Sequence, residues 1–296
     1  MPTVALLVNP AAGRRRAAVA AAALLDRLRA RGAEVRVAAG ESASDSARLA
    51  ERLVADRPDA LVAVGGDGLV HQALQALVGT DGPLGVVGAG TGNDIARELG
   101  LPRAPDAAAR AVLAGHTRRI DTVAAAGRHY LSVLACGFDS RVNERVNGFR
   151  VRTGRLDYVA GVLAELGSFT PLHYTLDVDG RRLEAEGMLV AVGNTRCYGG
   201  GMRVCPDARP DDGLLDVVLV RRVGRARFLR LFPRVFTGSH TGLPEVTVLR
   251  GRRVAVAADG AVDVVAHADG ERLAAPPLVC EAVPGSVRVL AAAPGR

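Results

Sequence analysis

Through the first 120 residues, short apolar runs alternate with longer Ala-, Leu- and Arg-rich segments. Residues 3–8, 34–38, 60–64 and 84–87 read as strands, and the segments between them carry helical spacing. That rhythm predicts βαβ units and a parallel sheet. In such sheets ligands bind outside the carboxyl ends of the strands. Here the residues that follow the runs are unusually rich in glycine.

Beyond residue 120 the pattern changes to a series of strand-like pieces at 129–135, 173–178, 188–192, 214–220, 253–258, 262–266, 278–282 and 287–290. Gly, Pro and Asp turns separate them, and helical stretches interrupt at 158–166 and 225–235. Serial short strands of this kind predict an antiparallel β-sandwich. The expected organisation is an α/β domain over 1–120 and a mainly antiparallel β-sandwich domain over 121–296, with a cleft between them. The last strand is free to return to the first domain.

The composition narrows the chemistry. All 38 basic residues are arginine, so a Walker P-loop and Schiff-base catalysis, which both need a lysine, are excluded. Phosphate charge has to be met by Mg²⁺, Arg or backbone N–H groups. The net charge of +7 suits an anionic partner, but aromatics make up only 3% and Trp is absent, which leaves little for stacking nucleic-acid bases. Cys136, Cys197, Cys205 and Cys280 form no C-x-x-C pair, so they read as reduced thiols of a cytosolic protein. The apolar start precedes its positive charges, the wrong order for a secretory signal, and no uncharged run approaches the roughly 18 to 20 residues of a membrane span.

Three strand ends carry candidate chemistry. The first closes on Asn9, Pro10, Ala11, Ala12 and Gly13 ahead of the Arg run at 14–16, a Gly-ended loop that can offer N–H groups to an anion at a helix N-terminus. The third closes on Gly65-Gly66-Asp67-Gly68, where glycines let phosphates approach the backbone and the acid can serve a metal or a hydroxyl. The fourth closes on Gly88-Ala89-Gly90-Thr91-Gly92-Asn93-Asp94, whose Thr, Asn and Asp also suit a plain helix cap.

VNPAAG, GGDG and GTGND in this order resemble the catalytic domain shared by bacterial diacylglycerol kinases, sphingosine kinases and ceramide kinases. The second half extends the resemblance: Tyr198-Gly199-Gly200-Gly201-Met202, Cys205-Pro206-Asp207-Ala208, Asp211-Asp212-Gly213-Leu214-Leu215-Asp216 and Asp269-Gly270-Glu271 are similar to that family's later motifs. The resemblance implies a nucleotide-binding domain like those of NAD kinase and phosphofructokinase. It implies an ATP- and Mg²⁺-dependent lipid kinase that converts diacylglycerol to phosphatidic acid in phospholipid biosynthesis. A kinase for a sphingoid base, ceramide or another amphipathic alcohol, and a catalytically weak nucleotide- or anion-binding relative, stand as alternatives.

The resemblance also implies roles. Asn9, Pro10, Ala11, Ala12, Gly13, Gly65, Gly66, Asp67, Gly68, Leu69, Val70, His71, Gly90, Thr91 and Asn93 would line the ATP site, with Asp67 and Asp94 near the phosphates and catalytic Mg²⁺. Glu271 would be the general base, with the GGDG acid Asp67 as the alternative. A second, structural Mg²⁺ would use Asp212 with the carbonyls of Arg209 and Leu214. Departures stand beside these matches: Leu69-Val70-His71-Gln72 replaces the family's usual Thr-Val-Asn-Glu. A Thr common after the second strand is missing, with Ser42 as its nearest substitute.

Two basic segments bear on a lipid. Residues 221–234 mix six Arg with Phe and Leu, a composition that fits either an anionic bilayer surface or a solvated face. Residues 141–155 fit either the flank of a lipid-entry groove or a cover on the sandwich. The expected protein is cytoplasmic, visits the inner membrane surface peripherally, takes a lipid substrate and no nucleic acid, and leaves a homodimer open.

Overall fold

The computed structural model describes residues 1–13, 15–138, 141–142, 161, 169–259 and 264–291. The chain divides into two compact units, Met1–Asp121 with Pro284–Arg296, and Thr122–Val283.

The first unit alternates strand and helix: β1 (Thr3–Val8), α1 (Arg16–Arg29), β2 (Glu34–Ala39), α2 (Ala43–Ala55), β3 (Ala60–Gly65), α3 (Asp67–Leu77), β4 (Pro83–Gly88), α4 (Asp94–Leu99) and α5 (Pro105–Ala114). β2, β1, β3 and β4 lie side by side and parallel. The second half of β15 (Leu278–Leu290) adds to β4 through the pairs Arg288↔Pro83 and Val289↔Leu84. β1 and β3 are apolar almost throughout because helices cover both faces of a parallel sheet. β2, an outer strand, puts Glu34 and Arg36 on exposed positions, with Val37 exposed between them and Ala39. Leu24, Leu28, Leu6 and Val62 sit in one apolar cluster, which ties α1 to the sheet. The strand ends that the sequence marked, those of β1, β3 and β4, therefore stand next to one another.

The second unit is antiparallel. After β5 (Thr117–Ala125) come β6 (Arg128–Tyr130), β7 (Val133–Gly137), β8 (Leu172–Val178), β9 (Arg181–Gly193) and β10 (Leu215–Arg221). The helix α6 (Arg225–Leu231) and two 3-10 turns, Phe232–Phe236 and Ser239–Gly242, precede β11 (Val246–Gly251), β12 (Arg253–Asp259), β13 (Ala266–Ala268) and β14 (Glu271–Ala274). β9 spans two ladders: Arg181–Gly187 pairs with β8, while its second half pairs with both β7 and β10. At Gly187 a Cβ would lie 2.7 Å from Leu219 Cδ1 and 3.0 Å from the Val220 carbonyl, so glycine lets the strand pass close to its neighbour where the β10 register slips. The α/β fold followed by an antiparallel β unit agrees with the sequence pattern.

Several boundaries differ from that pattern. The run at 129–135 breaks between β6 and β7 because Leu131 and Ser132 turn their N–H groups onto the Asp269 carboxylate instead of a ladder. The runs at 278–282 and 287–290 are one strand. Pro284 and Gly285 lie where β15 exchanges β12 for β4, and Gly285 N–H donates to Asp121 at 2.7 Å. β11 and β14 had no strong pattern, being half exposed. The helical stretch predicted at 225–235 is a short α-helix followed by a 3-10 turn. The stretch at 158–166, nearly all of the basic segment at 141–155 and the start of the run at 262–266 fall outside the described residues.

Candidate functional site

In the first unit, the loops after β1, β3 and β4 close on one another through backbone contacts that leave no room for side chains. Gly13 has φ +59°, and a Cβ there would lie 2.1 Å from the Ala89 carbonyl. A Cβ on Gly90 would lie 2.4 Å from Gly66 Cα, and one on Gly92 would lie 2.8 Å from the Asp67 carboxylate. Glycine is therefore required at positions 13 and 90, where the obstacle is backbone. Arg16 adds a tie that the sequence did not single out: its Nε donates to the Gly13 carbonyl at 2.9 Å and its Nη2 to the Gly90 carbonyl at 3.0 Å. The run of Arg at 14–16 was the available signal.

The side chains of this junction build the loops as well as line them. Asn93 sits in the left-handed region (φ 57°), where Asn is tolerated, and closes the last loop on both sides. Its Oδ1 accepts from Gly90 N–H at 2.7 Å, and its Nδ2 donates to the Gly90 carbonyl at 2.8 Å. Asn9 Oδ1 accepts from Ala11 N–H at 3.1 Å, which sets the turn through Pro10 and Ala12. Asp67 caps a neighbouring helix: its two oxygens accept the N–H groups of Asp94 (3.1 Å) and Ile95 (3.0 Å) at the start of α4. A helix start leaves N–H donors unpaired, and a carboxylate there is favoured by both hydrogen bonding and the helix dipole. Asp94, 5% exposed, pairs with Arg97 at 2.5 Å.

Gly13, Gly66, Asp67, Gly90 and Asn93 are thus brought together, with Gly65 buried beneath them and Gly68 and exposed Thr91 beside them. Leu69, Val70 and His71 are not on that surface. They are buried in α3, and Leu69 packs against Gly65. The replacement of the family's Thr-Val-Asn-Glu is therefore absorbed by the interior of the unit, and Gln72 is buried with it. Ser42 is committed elsewhere: its hydroxyl accepts from Asp45 N–H at 3.1 Å and caps α2.

The second unit contributes two carboxylate motifs. In Asp269-Gly270-Glu271 the first two residues have φ 53° and 83° and make the turn from β13 to β14. Asp269 is 3% exposed and accepts from Leu131 N–H (3.0 Å), Ser132 N–H (2.8 Å) and the Ser132 hydroxyl (2.5 Å). Glu271 opens β14 half-buried, and no hydrogen bond or ion pair engages its carboxylate among the described residues. In the Asp211–Asp216 stretch, Asp212 Oδ1 accepts from Leu214 N–H at 3.0 Å around Gly213 (φ 71°), while Oδ2 meets Arg250. Arg209 is exposed beside it.

The same unit also holds an almost wholly apolar pocket, lined by residues that include Leu189, Val220, Phe228, Phe232, Leu243 and Val246. Tyr198 and Met202, the ends of the Tyr-Gly-Gly-Gly-Met motif, line it, and the rest of the lining comes from separate strands, α6 and the 3-10 turns. His240, Glu245 and the hydroxyl-bearing Tyr198 are its members with polar atoms. Burial pushes the His240 pKa down, and the Arg227 guanidinium holds Glu245 below the usual carboxylate range. Of the basic segment, α6 turns Phe228 inward and leaves Leu229 exposed, while Arg222 and Arg227 pair with Glu186 and Glu245. Among the described residues, no helix is long and apolar enough to cross a membrane.

Comparison with known proteins covers almost the whole chain. Residues 3–125 match the diacylglycerol kinase catalytic domain, and residues 132–291 match the YegS C-terminal NAD kinase beta sandwich-like domain. A diacylglycerol kinase of Mycobacterium tuberculosis is 42% identical over 298 residues, covering 97% of this chain and 94% of that one. A diacylglycerol kinase of Bacillus subtilis is 28% identical, covering 86% of each. A probable lipid kinase YegS-like of Pseudomonas fluorescens is 32% identical over 67% of each. The crystal structure of a diacylglycerol kinase from Bacillus anthracis superposes with a TM-score of 0.73 at 20% identity, covering 97% of this chain and 96% of that one, a likeness of fold.

Proposed function

The chain belongs to the diacylglycerol kinase family, a family of lipid kinases, and from that premise we propose that it transfers the γ-phosphate of ATP to the free hydroxyl of diacylglycerol, giving phosphatidic acid and ADP. The observation that carries this reading is the glycine junction of Gly13, Gly66 and Gly90 with the Asp67 carboxylate beside it. It offers a surface of bare backbone that a polyphosphate can approach without meeting a Cβ.

Phosphoryl transfer asks little covalent chemistry of a protein: aligned oxygens, neutralised charge and a destination for the hydroxyl proton. For the first two, the reading assigns the loops of Asn9–Gly13, Gly65–Gly68 and Gly90–Asn93 to the triphosphate. Asp67 fits the Mg²⁺ that accompanies ATP, because a carboxylate oxygen keeps a lone pair after accepting one N–H, and hard oxygen donors suit that ion. Mg²⁺ when bound would neutralise charge on the phosphate oxygens. Asp94 fits less well, since Arg97 already neutralises it; in this reading it positions the start of α4.

For the proton we assign Glu271. Its partner in the motif, Asp269, is consumed by the Leu131 and Ser132 hydrogen bonds, so only Glu271 is left with an unengaged carboxylate. The lipid oxygen then bonds to the γ-phosphorus as the bond to the ADP oxygen breaks, and the hydroxyl proton passes to Glu271. The apolar pocket of the second unit is assigned to acyl chain, because its lining offers methylenes and rings and almost no polar group. The test is transfer from labelled ATP with Mg²⁺ to diacylglycerol, monoacylglycerol, sphingosine and ceramide in mixed micelles, with Glu271→Gln in parallel. Labelled phosphatidic acid that disappears in the variant is the expected result. Preferred transfer to a sphingoid acceptor would overturn the substrate assignment.

A further inference from the structure

The resemblance places a second, structural Mg²⁺ at Asp212 with the carbonyls of Arg209 and Leu214, and the residues around Asp212 do not fit one. β10 and β11 pair antiparallel, and their register sets Asp216 directly opposite Arg250. Directly opposed residues point to the same face of the sheet, so the guanidinium is held over the acids by the ladder itself. Its Nη2 donates to Asp212 Oδ2, and its Nε lies 3.2 Å from Asp216 Oδ1. The other Asp212 oxygen is taken by Leu214 N–H. Asp216 has a side chain only 6% exposed. Such a group of acids needs a cation, and the guanidinium fork meets carboxylates from two residues at once.

The geometry points to Arg250 as a built-in replacement for the structural divalent cation: its guanidinium ties the Asp212 turn to β10 and makes the fold of the second unit independent of Mg²⁺. A divalent ion at Asp212 would have to displace this fork or sit against its positive charge. The metal that accompanies ATP is a separate matter, and the inference stands whether or not the lipid kinase reading holds.

The test is thermal unfolding without nucleotide or lipid, in EDTA and in millimolar Mg²⁺, for the wild-type chain and for Arg250→Met, Arg250→Lys and Asp212→Asn. Wild type and Arg250→Lys are expected to unfold at the same temperature with and without Mg²⁺. Arg250→Met, with its acids stripped of their cation, is expected to unfold several degrees lower in EDTA and to recover part of that loss in Mg²⁺. A wild-type midpoint that rises with Mg²⁺, with the rise lost in Asp212→Asn, overturns the inference, and so does an Arg250→Met midpoint equal to wild type in EDTA. Should Arg250→Met not fold, the wild-type and Asp212→Asn comparison still decides.

Discussion

The Asp269-Gly270-Glu271 turn separates two carboxylates that a sequence motif treats as one unit, and substitution can tell them apart. Asp269→Ala removes the acceptor for the N–H groups of Leu131 and Ser132, both buried to within 2%. Each buried donor left unpaired costs about 1–3 kcal/mol, so about 2–6 kcal/mol is expected for the pair. At about 2–4 °C per kcal/mol for a unit of this size, the midpoint should fall by about 4–24 °C. Asp269→Asn retains the oxygen that can serve Ser132 and turns an amide donor toward Leu131 N–H, which costs about 1–3 kcal/mol. Glu271→Gln removes a charge that nothing in the described structure engages, so its midpoint should stay within about 2 °C of wild type. Its kcat should nonetheless fall by about 10²–10⁴, the usual contribution of a general base. The assay pairs thermal unfolding by near-ultraviolet circular dichroism with phosphate transfer to diacylglycerol in mixed micelles. An unstable Glu271→Gln, or one with full kcat, would refute the division of labour, as would an Asp269→Asn of wild-type stability.

Four further outcomes follow from the same contacts. Asp67→Asn should lower stability by about 1–2 kcal/mol through the α4 start as well as reduce turnover, so a variant with a wild-type unfolding midpoint would contradict the capping role. Gly90→Ala, whose Cβ meets Gly66 backbone, should raise KM for ATP and leave KM for diacylglycerol unchanged; an unaltered ATP KM counts against the junction as the nucleotide surface. Leu243→Glu, at the apolar pocket, should raise KM for diacylglycerol by about tenfold or more with the ATP KM unaltered, and equal shifts in both would remove the pocket from lipid binding. Brief iodoacetamide treatment at neutral pH should label Cys197 well ahead of the others, as read by peptide mass spectrometry. Burial pushes Cys136 and Cys280 up to about 12 and raises Cys205 as well, so rapid labelling of any of these three refutes their inert character.

The first unit was legible because its inner strands are buried on both faces and write themselves as uninterrupted apolar runs, as in Ala60–Gly65. The Gly-rich ends of β1, β3 and β4 were legible for the related reason that close backbone approach excludes every other residue. What stayed hidden depends on distant partners. Nothing near Leu131 and Ser132 announces that a carboxylate 137 or more residues later takes their N–H groups and breaks the strand. β11, with half-exposed Val246, Thr247 and Leu249, has the weak pattern of an outer strand, yet its register is what sets Arg250 over Asp216. Apart from Tyr198 and Met202 of the Tyr-Gly-Gly-Gly-Met motif, the apolar pocket is assembled from ordinary core residues of several elements, which no spacing rule distinguishes from core.

The acids were the most visible candidates in the sequence, and the structure divides their work in a way residue type alone does not indicate. Asp67 holds the start of α4, Asp269 holds the break between β6 and β7, and Asp212 holds its own turn and Arg250. Each lies beside a glycine and takes backbone N–H groups that lack other partners, two for Asp67 and Asp269 and one for Asp212. Such motifs therefore resist interpretation as ligands alone: the turn that carries Glu271 is held by Asp269, two residues away. In a chain whose every basic side chain is arginine, the same logic extends to charge. Where carboxylates converge, at Asp212 and Asp216, a planar fork from the neighbouring strand reaches both.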